Sequence, residues 1–139
     1  MPALIDVCIL VAAHRADHPH HNRALEAVDA AAGSGFLWCA HTRNGFLRLV
    51  TDRRIFDAPT PTPVALAAWQ TWVDRPDARL LLDSVAANTR FGDLCRARAQ
   101  LGNAVYDLQL AALAMTDGVE LWSFDDDYAA IPALRFRRW

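Results

Sequence analysis

Lysine is absent from the 139 residues, so all 14 side chains counted as Lys or Arg are arginines. That removes the lysine on which acidic receiver-type phosphorylation domains depend. Arginine instead offers a planar fork suited to bidentate phosphate contact. No glycine-rich phosphate loop opens a helix anywhere in the chain, which counts against nucleotide-binding phosphohydrolases. Cysteine is scarce: Cys8, Cys39 and Cys95 are odd in number, far apart and set in apolar surroundings. A disulfide framework and a zinc site are thereby disfavoured, and free core thiols in a reducing cytosol are expected. No apolar run approaches the roughly 18 residues of a membrane span, and no basic region precedes the first apolar stretch. A cytoplasmic location without membrane insertion is the corresponding expectation.

What is present describes a folded globular chain, with 53% hydrophobic and 22% charged residues, and the length suits one domain over residues 1–139. The net charge of -2 selects no partner. Ala3 to Ala13 is an apolar block broken only by Asp6. It predicts a short buried strand ending at Asp6 and a helix from about Val7 to His14. His14, His18, His20 and His21 surround Asp17 and Pro19 and read as a solvated turn rather than a transition-metal site. An amphipathic helix then runs to about Ala32 and stops at Gly33-Ser34-Gly35, before a second buried strand at Phe36 to Cys39.

His41 to Thr51 reads as a helix with Phe46, Leu49 and Val50 inward, which brings Arg43 and Arg48 near the mouth of any site at the strand ends. Solvated helix arginines are the plainer reading of each. A proline-rich connection from Asp52 to Pro63 leads to a helix from about Val64 to Val73, with Trp69 and Trp72 as packing residues. Further strands are expected at Arg79 to Asp83, Glu120 to Trp122 and Leu134 to Phe136. Between them lie a helix capped at Asp83-Ser84 and running to about Gln100, and a strongly apolar helix beginning at Ala104.

The acidic residues are placed systematically. Asp6 follows the first strand, Asp107 enters the apolar helix, and Asp125-Asp126-Asp127 follows the strand Val119 to Phe124. Each has an ordinary explanation: a helix cap for Asp6, complement to the helix dipole for Asp107, and a solvated turn for the triplet. Together they occupy places that converge on one end of a parallel sheet, where α/β folds bind ligands. Crowded carboxylates raise one another's pKa unless a cation lies between them, and hard divalent ions prefer such oxygen donors.

Four fragments, in this order and spacing, resemble the PIN domain and more closely the VapC toxins of bacterial toxin–antitoxin pairs. They are Leu4-Ile5-Asp6-Val7, Asn44-Gly45-Phe46-Leu47-Arg48-Leu49-Val50-Thr51, Asn103 through Ala114 around Asp107, and Trp122-Ser123-Phe124-Asp125-Asp126-Asp127-Tyr128. The resemblance implies a three-layer α/β/α fold around a parallel sheet and a Mg2+- or Mn2+-dependent endoribonuclease. It matches Asp6, Asp107 and Asp125 to the family's metal-binding acids, Asp127 to a frequent fourth, and Ser123 to a position just behind them. RNA as substrate, a small VapB-like antitoxin and a homodimer are its implied partners. One departure stands out: the positions considered for the family's glutamate near the second strand read Ala40 and Gly45. A PIN-like module that binds RNA or protein without cutting is therefore the alternative.

Overall fold

A computed structural model describes residues 1–139 throughout. Strand β1 (Ala3–Ile5) leads into α1 (Val7–His14) and α2 (His21–Ser34), then β2 (Phe36–Trp38), α3 (Ala40–Val50) and α4 (Thr62–Val73). There follow β3 (Arg79–Leu80), α5 (Val85–Arg96), α6 (Ala104–Asp117), β4 (Glu120–Ser123), a 3-10 turn over Asp126–Ala130 and β5 (Phe136–Arg138). The five strands form one sheet in the order β3-β2-β1-β4-β5, and every pairing is parallel. The expected three-layer α/β/α architecture is present.

Alternation along the central strands divides the core in two. Ala3 and Ile5 of β1 and Trp122 of β4 face one layer, packed with α1, α2, Phe46, Val50 and Trp69. Leu4 and Leu121 face the other, against α6 residues such as Leu108, Leu110 and Leu113. The strands are only two to four residues long because helices cover both faces, leaving Ala3, Leu4 and Ile5 wholly buried. The chain winds from β1 outward through β2 and β3, then returns to lay β4 on the other side of β1. The crevice created where the winding reverses lies at the carboxyl ends of β1 and β4.

Some boundaries differ from the sequence expectation. Helix α5 stops at Arg96 rather than Gln100, since residues 97–100 are exposed and have no apolar stripe to bury. Strand β5 is Phe136–Arg138, not Leu134 to Phe136, because its register pairs Leu121 with Phe136 and Ser123 with Arg138. Ser84, not Asp83, supplies the α5 cap, accepting from the Ala87 N–H at 3.1 Å. Leu49 is only partly buried, whereas Thr42 is fully buried and accepts from the Cys39 N–H at 3.0 Å. Because α1 ends at His14, that residue and His18 do not share a helix face. His14 bonds Thr60 at 2.9 Å, and His21 bonds the Ala12 carbonyl at 2.8 Å.

Gly45 holds α3 against α1: a Cβ there would lie 2.8 Å from Val7 Cγ2. Valine in a helix is stiff about χ1 and cannot turn aside cheaply. Replacing Gly45 with Ala should destabilise the fold by about 1–3 kcal/mol, read as a lowered midpoint in urea unfolding. A Gly45→Ala protein as stable as the parent would show that α1 and α3 are less tightly apposed than this.

Candidate active site

Three segments deliver carboxylates to the crevice, each for a local reason. The β1 strand ends where Asp6 caps α1, its Oδ1 accepting from the Val7 N–H at 2.7 Å. Asn103 breaks the chain before α6, and Asp107 then falls in the first turn of that helix. The β4 strand ends at Ser123, after which Asp125 caps the 3-10 turn through a 2.9 Å bond from the Asp127 N–H to its Oδ1. Asp6, Asp107 and Asp125 line one cleft of about 670 Å³, with His41, Asn44, Gly45 and Arg48 from α3 on its other wall.

Ser123 is the joint between the acidic segments. Wholly buried, it donates to Asp6 Oδ2 at 2.6 Å and accepts from the Asp125 N–H at 3.0 Å. Cys8 Sγ lies 3.3 Å from the same hydroxyl and donates to Asp6 Oδ2 at 3.5 Å. Burial, aided by the charge of Asp6, pushes the Cys8 thiol up to about 12, so it stays protonated. Behind Asp107, the buried Tyr128 donates its hydroxyl to Oδ1 at 3.1 Å. Burial and the charges of Asp6 and Asp107 raise the Tyr128 phenol, which keeps its proton for that bond.

Burial dominates the electrostatics of these acids. Burial raises the Asp6 carboxyl, against the hydrogen bonds from Ser123, Val7 and Cys8 and the attraction of His41. Burial also raises Asp107, and the charges of Asp6, Asp125 and Asp127 add to it while the Tyr128 bond opposes. Burial lowers the His41 imidazole, with Asp6 pulling the other way. Asp126 turns outward to Arg138 at 3.0 Å, and exposed Asp127 contributes charge from outside the cleft lining. No three His, Cys, Asp or Glu side chains form a ready cage for an ion. The donors at the cleft are nonetheless carboxylate oxygens whose mutual repulsion a hard divalent cation relieves.

Of the two arginines singled out from the sequence, Arg48 lines the cleft. Arg43 does not, its Nε donating instead to Asn44 Oδ1 at 3.1 Å. Sequence reasoning passed over His41, Asn44, Asn103 and Tyr106, all on the cleft wall, and over Tyr128. Adjacency was the available signal: Tyr106 precedes Asp107, and Tyr128 follows the aspartate triplet.

Asp107→Asn removes one charge yet keeps an oxygen for Tyr128. In metal-free buffer at neutral pH this protein should melt at or above the parent's temperature. Asp107→Ala leaves the buried Tyr128 hydroxyl without its acceptor, a loss of about 1–3 kcal/mol relative to the Asn variant. Because the folded Asp107 carboxyl holds its proton to higher pH than the unfolded one, its penalty exists above the folded pKa. It is relieved as pH falls through that value toward 3.8. The advantage of Asp107→Asn should therefore shrink on acidification; an advantage that grows instead would reverse this electrostatic assignment.

Comparisons with known proteins identify the family. The PIN domain family matches residues 3–134. The ribonuclease VapC25 of Mycobacterium tuberculosis is 32% identical over 97% of this chain and 96% of its own length. Ribonuclease VapC31 of the same species is 31% identical over the same shares. Among solved structures, the VapBC2 complex of Rickettsia felis bound to a promoter DNA fragment superposes with a TM-score of 0.75 at 15% identity. It covers 100% of this chain and 99% of that one. VapC20 of M. tuberculosis, a toxin that cleaves the sarcin–ricin loop, gives 0.70 at 15% identity over 92% and 93%. A sheet that reverses its winding at β1 and β4, acids gathered at that point and relatives matched along nearly their whole length place the chain in the PIN domain family, among the VapC proteins.

Proposed function

We propose that the chain is a metal-dependent endoribonuclease and the toxin half of a type II toxin–antitoxin pair, acting in the cytoplasm. The observation that carries the reading is that Asp6, Asp107 and Asp125, from three separate segments, line one cleft at the carboxyl ends of β1 and β4. Asp6, Asp107 and Asp125, with Asp127 beside them, would hold Mg2+ or Mn2+. Such an ion, when bound, supplies an acidified water and neutralises charge developing on a phosphate. Ser123 positions Asp6 and Asp125 relative to each other, Tyr128 fixes the Asp107 carboxylate, and Arg48 meets the RNA backbone at the rim. Arg43 contributes only to the wider basic surroundings of the cleft. Hydrolysis by water requires no covalent intermediate on the protein.

A second groove supports the antitoxin part of this reading. It has a volume of about 470 Å³, is lined by Val11, Ile55, Phe56 and Phe124 among others, and shares Cys8 and Leu49 with the acidic cleft. An amphipathic segment of a small VapB-like protein lying there could aim an arginine at the carboxylates. A homodimer completes the proposed assembly.

One observation favours the alternative of a PIN module that binds without cutting. Gly45, one position considered for the missing glutamate, is occupied sterically by Val7, and the α3 wall offers the neutral Asn44 and His41 instead. Catalysis decides between the two. Purified protein should cleave RNA with Mg2+ or Mn2+ and stop when the ion is chelated, and Asp107→Asn should abolish cutting. Ser123→Ala should retain the fold with activity reduced roughly 10–100-fold. Mg2+ should raise the melting temperature of the parent through preferential binding to the folded state, and that of Asp107→Asn less. RNA binding without metal-dependent cleavage would establish the alternative.

Backbone contact adds a salt signature. Arg48→Ala should lower RNA affinity and flatten the dependence of log K on log salt by about one unit, as measured by filter binding over a salt series. Arg43→Ala should change the slope less. Equal slopes for the parent and Arg48→Ala would remove Arg48 from the RNA path.

A further inference from the structure

Tyr106 is a large aromatic residue left 53% exposed, one position before Asp107 in the first turn of α6. His41, from the start of α3, stacks on it with ring centroids 5.2 Å apart and planes inclined by 12°. Neither ring belongs to the two hydrophobic cores. The helices that carry them pack on opposite faces of the sheet, so the rings meet only at the cleft mouth. Tyr106 also walls a second cavity of about 250 Å³, whose lining includes Phe91, the amide-bearing Asn88 and Gln109, and Asp83. Its ring thus stands between the carboxylates and a compartment that combines an aromatic surface with hydrogen-bonding amides.

A polyanion entering this cleft meets three carboxylates and one arginine on the lining, so charge alone is a poor source of affinity. Stacking does not depend on charge and accepts every base. Single-stranded RNA can splay a base onto an aromatic ring and offer its edge to amides, which a paired base cannot do.

We propose that the stacked Tyr106–His41 pair is a platform for one nucleobase of single-stranded RNA, flanking the phosphate at the carboxylates, with the base edge turned into the Asn88–Gln109 cavity. The proposal deepens the nuclease reading and rests on it for the identity of the ligand.

The test uses the full chain carrying Asp107→Asn, so that RNA stays whole, and short single-stranded RNAs with 2-aminopurine placed at successive positions. With Tyr106 present, fluorescence at one position should be quenched on binding by stacking. Tyr106→Phe should keep the quench. Tyr106→Leu should abolish it and weaken binding about tenfold, while the melting temperature stays at the parent's because the ring is outside the core. In the Asp107 parent, Tyr106→Leu should raise KM for RNA more than it lowers kcat. Equal quenching and affinity for Tyr106 and Tyr106→Leu overturns the platform, yet leaves the nuclease reading standing if the parent cuts RNA. A change of mass in sedimentation for Tyr106→Leu also overturns it, since a second copy of the chain would then cover the ring. Quenching by a protein whose Asp107 parent cuts no RNA keeps the platform and removes the nuclease.

Discussion

The repulsion among carboxylates at the carboxyl ends of β1 and β4 is the constraint around which this molecule is built. Three segments far apart in sequence bring Asp6, Asp107 and Asp125 to one cleft, where Asp6 is buried, Asp107 half-buried and Asp125 exposed. Gathering like charges there lowers stability, so the fold must supply rigidity from elsewhere. It does so through a parallel sheet whose central strand is wholly buried and through helices packed on both faces. Crowding carboxylates at the mouth of a cleft costs folding free energy, which is the direction expected of a functional site rather than a structural one.

What keeps the acids in place is a small set of neutral donors. The Ser123 hydroxyl spans Asp6 and the Asp125 backbone, Tyr128 restrains Asp107, and the Cys8 thiol stays protonated beside Asp6. None of these groups adds charge, and each engages only one oxygen of the carboxylate it touches. Their shared property is that each is a neutral hydrogen-bond donor held in place by packing. The aromatic pair at the mouth plays a complementary part outside this network: it extends the cleft without altering its charge.

The sequence made the main features legible because they are carried by local pattern. The apolar block ending at Asp6, the helix break at Asn103 before Asp107 and the strand ending in three aspartates all announce their elements directly, and the resemblance they carry implied the parallel three-layer fold. Ser123 was foreseen from family resemblance. Other features were invisible because they arise between segments. That Asp126 turns to Arg138 while Asp125 faces the cleft depends on the β5 register, which sequence reading misplaced by two residues. The sequence shows glycine at Gly45, one position considered for the family's glutamate, but not that Val7 of another helix lies where a Cβ there would project. Tyr106 and His41 lie 65 positions apart in sequence, and no periodicity predicts that their rings stack. Arg43 and Arg48 share a helix and a charge, and only side-chain geometry separates the one bound to Asn44 from the one on the cleft wall.

The claim on which the account depends is that these carboxylates hold a divalent cation. Anomalous diffraction from crystals grown with Mn2+ locates such an ion directly, independent of any substrate. The account predicts a strong peak bounded by carboxylate oxygens of Asp6, Asp107 and Asp125. Ordered Mn2+ elsewhere in the crystal, with no peak among these three side chains, would contradict it.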